Sequence, residues 1–400
     1  MVRSFLGTIT TMDERCDILI VGAGPAGSLA ARLMGMSRPT LRLLILDAEQ
    51  TPQHRPCGEY LAPGGLAVID RAGLTAAVHA TGAVPLREVA VQGPHGGWRA
   101  SFTPVLHLRP FCDHGLGVRR ERLDRALQAG AAEFAELRRG HRLAAMERID
   151  QRWLVTVTCP TGTYRINTAL VIGADGRGSQ VRHRTGLDRP SCVRRFALVA
   201  RAHGIAHRDR VEMHLGPMGQ IGLCPLGDGE VNLNLLIAPQ STPLLRAMKR
   251  ERLLRLALAA TPTLAARCRN VVLGRVMASG SLPQRAVGVV DDGICLVGDA
   301  AGFCDPFTGE GMTIAARGAG LLVDALCVLD FDRMPTANDL APYARAHRTT
   351  IGRRRSLGEA LQGVLARRRA AEGLAALIGR VPQLGRLLVA DAAGFTSQPE

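Results

Sequence analysis

The sequence is almost without lysine. Lys249 is the only one, so arginine carries the cationic side of a formal net charge of +15. Aromatic residues make up only 4% of the chain, and its two tryptophans, Trp98 and Trp153, stand apart. No clustered basic tract sits beside an aromatic platform, which argues against nucleic acid as a partner. The arginine excess reads first as a solvated surface; the sharper reading is attraction to acidic ligands, dinucleotide phosphates or an anionic membrane face. The 10 cysteines include no C-x-x-C pair and no zinc spacing, as expected of buried free thiols in a reducing cytosol, with no metal site. Residues 1–16 hold Asp13 and Glu14 and no sustained apolar stretch, unlike a signal peptide, and Met12 could be the true start. No uninterrupted apolar run reaches membrane-spanning length. The expectation is a cytoplasmic protein, at most peripheral to a membrane.

Asp17-Ile18-Leu19-Ile20-Val21 is a short apolar run suited to a parallel strand covered on both faces. Pro25 then stands at a helix start, where a missing N–H costs nothing, and Leu29, Leu33 and Met34 give that helix its apolar stripe. Residues 41–46, 169–173 and 294–297 read as further buried strands. Residues 87–102 and 194–236 alternate and are rich in turns, as antiparallel strands are, and residues 153–159 form another strand. Residues 122–137 are predicted to be one helix ended by Gly140. Thr242 and Pro243 are predicted to open a second, reaching residue 259, and residues 312–329 a third that is apolar on nearly all sides. From Arg353 the tail reads as helical and basic. Leu357, Leu361 and Leu365 form a stripe between two arginine triplets, and such a helix can pack on its own domain or lie on a membrane. Parallel-type strands with antiparallel segments between them predict a nucleotide domain in pieces (13–85, 105–188 and 278–330). A β-rich substrate domain (86–104 and 189–277) is inserted, and a helical region (331–400) follows.

Gly22-Ala23-Gly24-Pro25-Ala26-Gly27 carries the first chemical motif. Gly22 permits a tight turn, Gly24 lets the backbone approach a pyrophosphate that the helix N-terminus attracts, and Gly27 allows close helix–strand packing. Asp47, at the end of the second strand, stands where a carboxylate would grip ribose hydroxyls. This turn alone does not separate FAD from NAD.

Downstream, Gly298-Asp299-Ala300-Ala301-Gly302 continues to Pro306, Gly309, Gly311 and Met312 between a buried strand and a long helix. This stretch resembles the second FAD fingerprint of the p-hydroxybenzoate hydroxylase superfamily, which includes aromatic hydroxylases, geranylgeranyl reductases and flavin halogenases. The resemblance implies that Asp299 hydrogen-bonds the ribityl chain and that Pro306, Gly309 and Gly311 line the flavin ring. Backbone N–H groups at such a helix start would stabilise the negative charge of reduced flavin. Gly173-Ala174-Asp175-Gly176-Arg177 resembles the family's middle motif, implicated in FAD and NAD(P)H binding, and Arg120, Leu123 and Asp124 resemble the element whose arginine approaches the cofactor. Cys57-Gly58-Glu59 falls where related enzymes carry a Cys-Gly segment near the flavin edge, and Arg55 is a candidate for the pyrophosphate. Cys57 reads equally well as a structural thiol. The implied fold is α/β: a discontinuous, GR2-type Rossmann-like FAD-binding domain with an inserted antiparallel β-rich substrate domain and a helical tail.

In this superfamily the cofactor performs the difficult step. Hydroxylation of an aromatic or polyketide-like small molecule of secondary metabolism is the leading expectation. NADH or NADPH would be the transient donor, and O2 would react to a flavin C4a-hydroperoxide. No catalytic side chain is assigned, with Pro306 and Cys57 the candidates near the ring. Gly222-Leu223-Cys224-Pro225-Leu226-Gly227 and residues 231–236 are candidate pocket walls, or plain sheet core. Alkene reduction is the alternative, though Gln220-Ile221-Gly222-Leu223-Cys224-Pro225 keeps only the proline of the reductases' aromatic-rich segment. Halogenation is disfavoured because Lys249 lies in an expected surface helix and the tryptophans are isolated. A non-catalytic or electron-transfer flavoprotein is the reading from a different class.

Overall fold

The computed structural model describes residues 14–189, 195–282, 284–303, 309–365 and 367–397. Strand Glu14–Val21 is buried over its last stretch and lies between two parallel neighbours, Leu43–Asp47 and Gly162–Gly173. Neither face meets water, which is why Ile18, Leu19 and Ile20 follow one another without a polar interruption. Glu136–Arg139 extends the parallel side beyond Leu43–Asp47, and Ile294–Leu296 pairs in parallel with the end of Gly162–Gly173. Strands Arg142–Ile149 and Arg152–Cys159 add an antiparallel wing. Helices Pro25–Ser37 and Gly311–Leu326 pack together over one face and share its core.

A second sheet runs in the order Val272–Leu273, Arg195–His203, Glu230–Ile237, Gly219–Gly227, Arg210–Gly216, Glu88–Gly93, Gly96–Ser101. It is antiparallel apart from the pairing of Arg210–Gly216 with Glu88–Gly93, which brings the early hairpin against the later strands. Its back face, with Leu198, Ile221, Leu233 and Leu235, is covered by helix Arg250–Ala260. The protein is thus an α/β chain with a parallel-cored sheet, a largely antiparallel sheet and C-terminal helices. No single described helix is long and apolar enough to cross a membrane.

Two expected helices are corrected. The helix predicted over 122–137 is Arg120–Ala131, and Leu137 belongs to strand Glu136–Arg139, paired with Ile45. The apolar residues that continue the helical stripe also suit an edge of the parallel sheet, and the open sheet edge decides. Gly140 therefore ends a strand. The helix predicted from Thr242 breaks at Met248, whose backbone is extended, into Leu244–Ala247 and Arg250–Ala260. The break lets Leu244, Leu245 and Met248 all pack on the same core. Thr242 makes no side-chain cap. The stripe Leu357, Leu361 and Leu365 lies outside the described side chains.

Beyond the parallel-cored sheet, helix Ala341–His347 is anchored by Tyr343, whose buried hydroxyl donates to the Leu296 carbonyl at 2.6 Å. His347 packs edge-on against Tyr343, and burial, with the Arg355 guanidinium adding to it, pushes its imidazole down from 6.5 to about 4. An unfolded chain takes up this proton as pH falls through 6.5, while the folded protein resists until near 4. Stability is therefore present above pH 6.5 and lost as pH falls toward 4, by on the order of 3 kcal/mol from this group. Urea unfolding of His347→Leu against pH is expected to show a shallower loss in that window than the wild type; parallel curves would contradict the assignment.

Candidate functional site

Gly22 follows the first strand with φ +104°, and a Cβ there would lie 2.5 Å from the Ala174 carbonyl oxygen. Only glycine lets the two parallel strands' turns lie against each other. Helix Pro25–Ser37 starts at once, with Gly24 as N-cap and no side chain closing its amides. At Gly27 a Cβ would fall 1.9 Å from the Gly22 oxygen, so this position serves packing. Asp47 accepts from the Ala23 N–H at 3.1 Å and from the Glu49 N–H at 2.9 Å. It thus braces the turn while remaining on the wall of the adjoining cavity.

The second turn is carried by Gly298–Ala301. Gly298 has φ +61°, and a Cβ there would lie 2.9 Å from that of Ala26, so the two turns meet at the helix start. Asp299 faces the cavity; burial pushes its carboxyl up, opposed by the guanidinium groups of Arg120, Arg177, Arg355 and Arg182. Buried Arg182 ties the middle motif to this turn, donating to the Ala300 carbonyl at 2.9 Å and to the Arg177 carbonyl at 2.7 Å. Pro306 lies outside the described residues. Gly309, Gly311 and Met312 line the same cavity where helix Gly311–Leu326 begins.

In the middle motif, Asp175 Oδ2 accepts from the Gln180 and Val181 N–H groups at 2.6 and 3.2 Å. Its Oδ1 is buried with no described partner, and burial pushes the carboxyl up. Asp175 is thus both a turn residue and an acceptor in want of a donor. Arg120 opens helix Arg120–Ala131; its Nε donates to Asp124 at 2.7 Å, and Nη1 lies 4.0 Å from Cys57 Sγ. Burial pushes the Cys57 thiol up, the Arg120 guanidinium opposing, so Cys57 is a thiol at neutral pH and a poor nucleophile. Arg55 is half-exposed at the cavity rim, 3.8 Å from Glu49.

Glu59 follows the Cys57-Gly58 pair, where no local pattern marks its role. It is fully buried at φ +54°. Its carboxylate accepts from the Arg120 N–H at 2.8 Å, the Arg201 Nε at 3.0 Å and the Asn232 amide at 2.7 Å, with Arg201 Nη2 closing a bidentate pair. Arg201 also donates to Glu121 at 2.9 and 2.6 Å. This knot joins the parallel-cored half to the second sheet. Glu59 and Arg201 stand 142 positions apart, and no local pattern marks them as partners.

The three motifs meet at one cavity of about 810 Å³, toward the upper end of the usual size of ligand sites. Gly22, Gly24, Pro25, Ala26, Asp47, Arg55, Cys57, Arg120, Asp175, Gly176, Asp299, Gly309, Gly311 and Met312 line it, while Gly27 and Gly298 stand behind as packing positions. The front face of the second sheet forms the opposite wall. Of the expected wall residues Gly222, Leu223, Cys224, Asn234 and Leu236 reach it, whereas Leu226, Val231, Leu233 and Leu235 belong to core elsewhere. The C-terminal region, for which no part in the site was expected, completes the enclosure. Helix Pro382–Ala393 contributes Leu388 and Val389, and buried Arg354 donates to Glu310 at 2.7 Å across the wall. Open helix amides beside a glycine turn, a carboxylate at the end of the second strand and an orphaned buried acceptor form a cradle that fits a dinucleotide.

The chain also resembles known proteins. The FAD binding domain family matches residues 15–329. The chain is 27% identical over 364 residues to digeranylgeranylglycerophospholipid reductase 1 of Methanothermobacter thermautotrophicus, covering 85% of this chain and 84% of that one. It is 33% identical over 223 residues to the 12-dehydrotetracycline 5-monooxygenase/anhydrotetracycline 6-monooxygenase of Streptomyces rimosus, covering 52% of this chain and 40% of that one. The solved structure of p-nitrophenol 4-monooxygenase PnpA from Pseudomonas putida matches with a TM-score of 0.79 at 19% identity, covering 96% and 99% of the two chains. At that identity the likeness is one of fold.

Arg201→Met leaves the Glu59 carboxylate buried without its cation and is expected to cost about 3–5 kcal/mol in urea unfolding. Replacing both Glu59 and Arg201 by methionine is expected to recover part of that loss, because the fully buried carboxylate leaves with its cation and only the more exposed Glu121 loses a partner. A single variant as stable as the wild type would contradict the pairing.

Proposed function

The chain belongs to the FAD binding domain family and is an FAD-dependent oxidoreductase, and from that premise we propose that it is a monooxygenase that hydroxylates an aromatic or polyketide-like small molecule. NADH or NADPH supplies the electrons and O2 the inserted oxygen atom. The observation that carries the reading is the shared cavity in which the three motif turns face the front of the second sheet. The tetracycline monooxygenase relative supports the substrate class.

FAD, when bound, accepts a hydride equivalent and passes the electrons on. The protein's part is to bind, orient and exclude water. The amides at the start of helix Pro25–Ser37 would hold the pyrophosphate, Asp47 the adenosine ribose, Asp299 and Asp175 the polyol hydroxyls, and Arg120 the phosphate side of the cradle. The helix start at Gly311 would stabilise negative charge on a reduced ring. Val199, Met213 and Leu236 from the sheet, with Val389 from the tail, keep the reacting face dry.

A second reading, reduction of an alkene, draws on the lipid reductase relative, of which this chain covers 84%. Oxygen separates the two. In a monooxygenase, O2 is consumed in proportion to hydroxylated product when NADH or NADPH is supplied with a panel of phenols and polyketides. Product formed under anaerobic conditions, with loss of a carbon–carbon double bond, would favour the reductase. Asp299→Ala is expected to weaken FAD binding about 10- to 100-fold by flavin fluorescence titration, the size of a lost charge-assisted hydrogen bond. Unchanged affinity would contradict its role.

A further inference from the structure

We propose that the side-chain carbonyl of Asn234 recognises the substrate by accepting a hydrogen bond from it, so that the ligand is a hydrogen-bond donor such as a phenol or an enol. This rests on the reading of the cavity as a substrate site and narrows it.

The orientation of the amide follows from groups that have only one possible role. Glu59 Oε1 faces the Arg120 N–H at 2.8 Å and Oε2 faces the Arg201 Nε–H at 3.0 Å, both obligate donors, so the carboxylate accepts. The Cys57 carbonyl can also only accept. Both acceptors lie against the same atom of Asn232, at 2.7 and 3.1 Å, and that atom must be its nitrogen. Asn232 Oδ1 is then left facing Asn234, two residues along on the same face of the strand. An oxygen there can only accept, so Asn234 donates to it through Nδ2. Asn234 Oδ1 remains, with no donor among the described residues. Flipping either amide would set like groups against each other at a cost of about 1–3 kcal/mol for each buried group left unmatched.

The surroundings make this oxygen selective. Asn232 is fully buried, whereas Asn234 is only half-buried and stands on the cavity wall. Strand register places Val199 on one side of Asn234 and Gly222 on the other, and the row continues through Met213, Val91 and Trp98. Asn234 is the one amide in that apolar row. Gly222 leaves space above the sheet beside it, and a Cβ at Gly58 would still be 4.0 Å from Asn234 Nδ2. A ligand lacking a donor would seal Oδ1 from water unpaired, and sites of this kind reject such analogues strongly.

The test is titration calorimetry of the FAD-loaded full chain with 1-naphthol and with 1-methoxynaphthalene, which keeps the ring and removes the O–H. FAD content is read separately from the visible spectrum. The wild type is expected to bind 1-naphthol about ten-fold or more tightly than the ether, the value of one hydrogen bond in an apolar setting. Asn234→Leu is expected to bring the two affinities together while keeping its FAD. Asn234→Ser, which retains a small acceptor if leucine perturbs the sheet, is expected to keep part of the preference. Equal wild-type affinities, no binding of either probe, or a preference that survives in Asn234→Leu overturns the proposal. Wild-type protein that cannot be loaded with FAD overturns instead the functional reading on which it rests.

Discussion

A buried carboxylate in a strained backbone holds the molecule's two halves in register. Glu59 sits at positive φ, which costs a non-glycine residue on the order of 1–3 kcal/mol, and its carboxylate is fully buried. Three kinds of donor surround it: a guanidinium from the second sheet, a backbone N–H from the start of helix Arg120–Ala131 and an amide from strand Glu230–Ile237. A charge so placed is tolerated only while every one of these partners is present. The loop from Cys57 to Tyr60, the helix that presents Arg120 and the sheet that floors the cavity are therefore fixed relative to one another by a single group.

That constraint reaches both ends of the chemistry. On the side of the glycine turns it positions Cys57, Gly58 and Arg120, which line the cavity with them. On the sheet wall opposite, it sets the direction of the Asn232 and Asn234 amides. The flavin supplies reactivity that many folds share; what distinguishes one such enzyme from another is the opposite wall, where few polar groups stand among apolar ones. The C-terminal helices add to this wall, and the Arg354–Glu310 pair fastens them to the turn before helix Gly311–Leu326.

Much of the nucleotide half was legible in the residues, because its signals are local. A buried strand, a glycine turn and a helix start occur within a dozen residues at Gly22, and follow one another again between Ile294 and Gly311. Strand and helix compete more evenly where the apolar spacing serves both, as at Leu137, and there the neighbouring strand decided. The Glu59–Arg201 pair was not legible, since its partners meet only through the pairing of distant strands. The same holds for the tail: Leu388 and Val389 look like any helical stripe until the cavity they cover is known. Asp47 and Asp175 carry the signature of ligand groups and also brace their own turns, a double duty that spacing cannot reveal.

The most direct measurement is a crystal structure of the protein saturated with FAD. The pyrophosphate is expected at the start of helix Pro25–Ser37, with the isoalloxazine ring between the Gly309–Gly311 turn and the sheet face that bears Asn234, and Glu59 still gripped by Arg201. Flavin seated outside this cavity, or a Glu59 carboxylate released from Arg201 in the loaded protein, would contradict it.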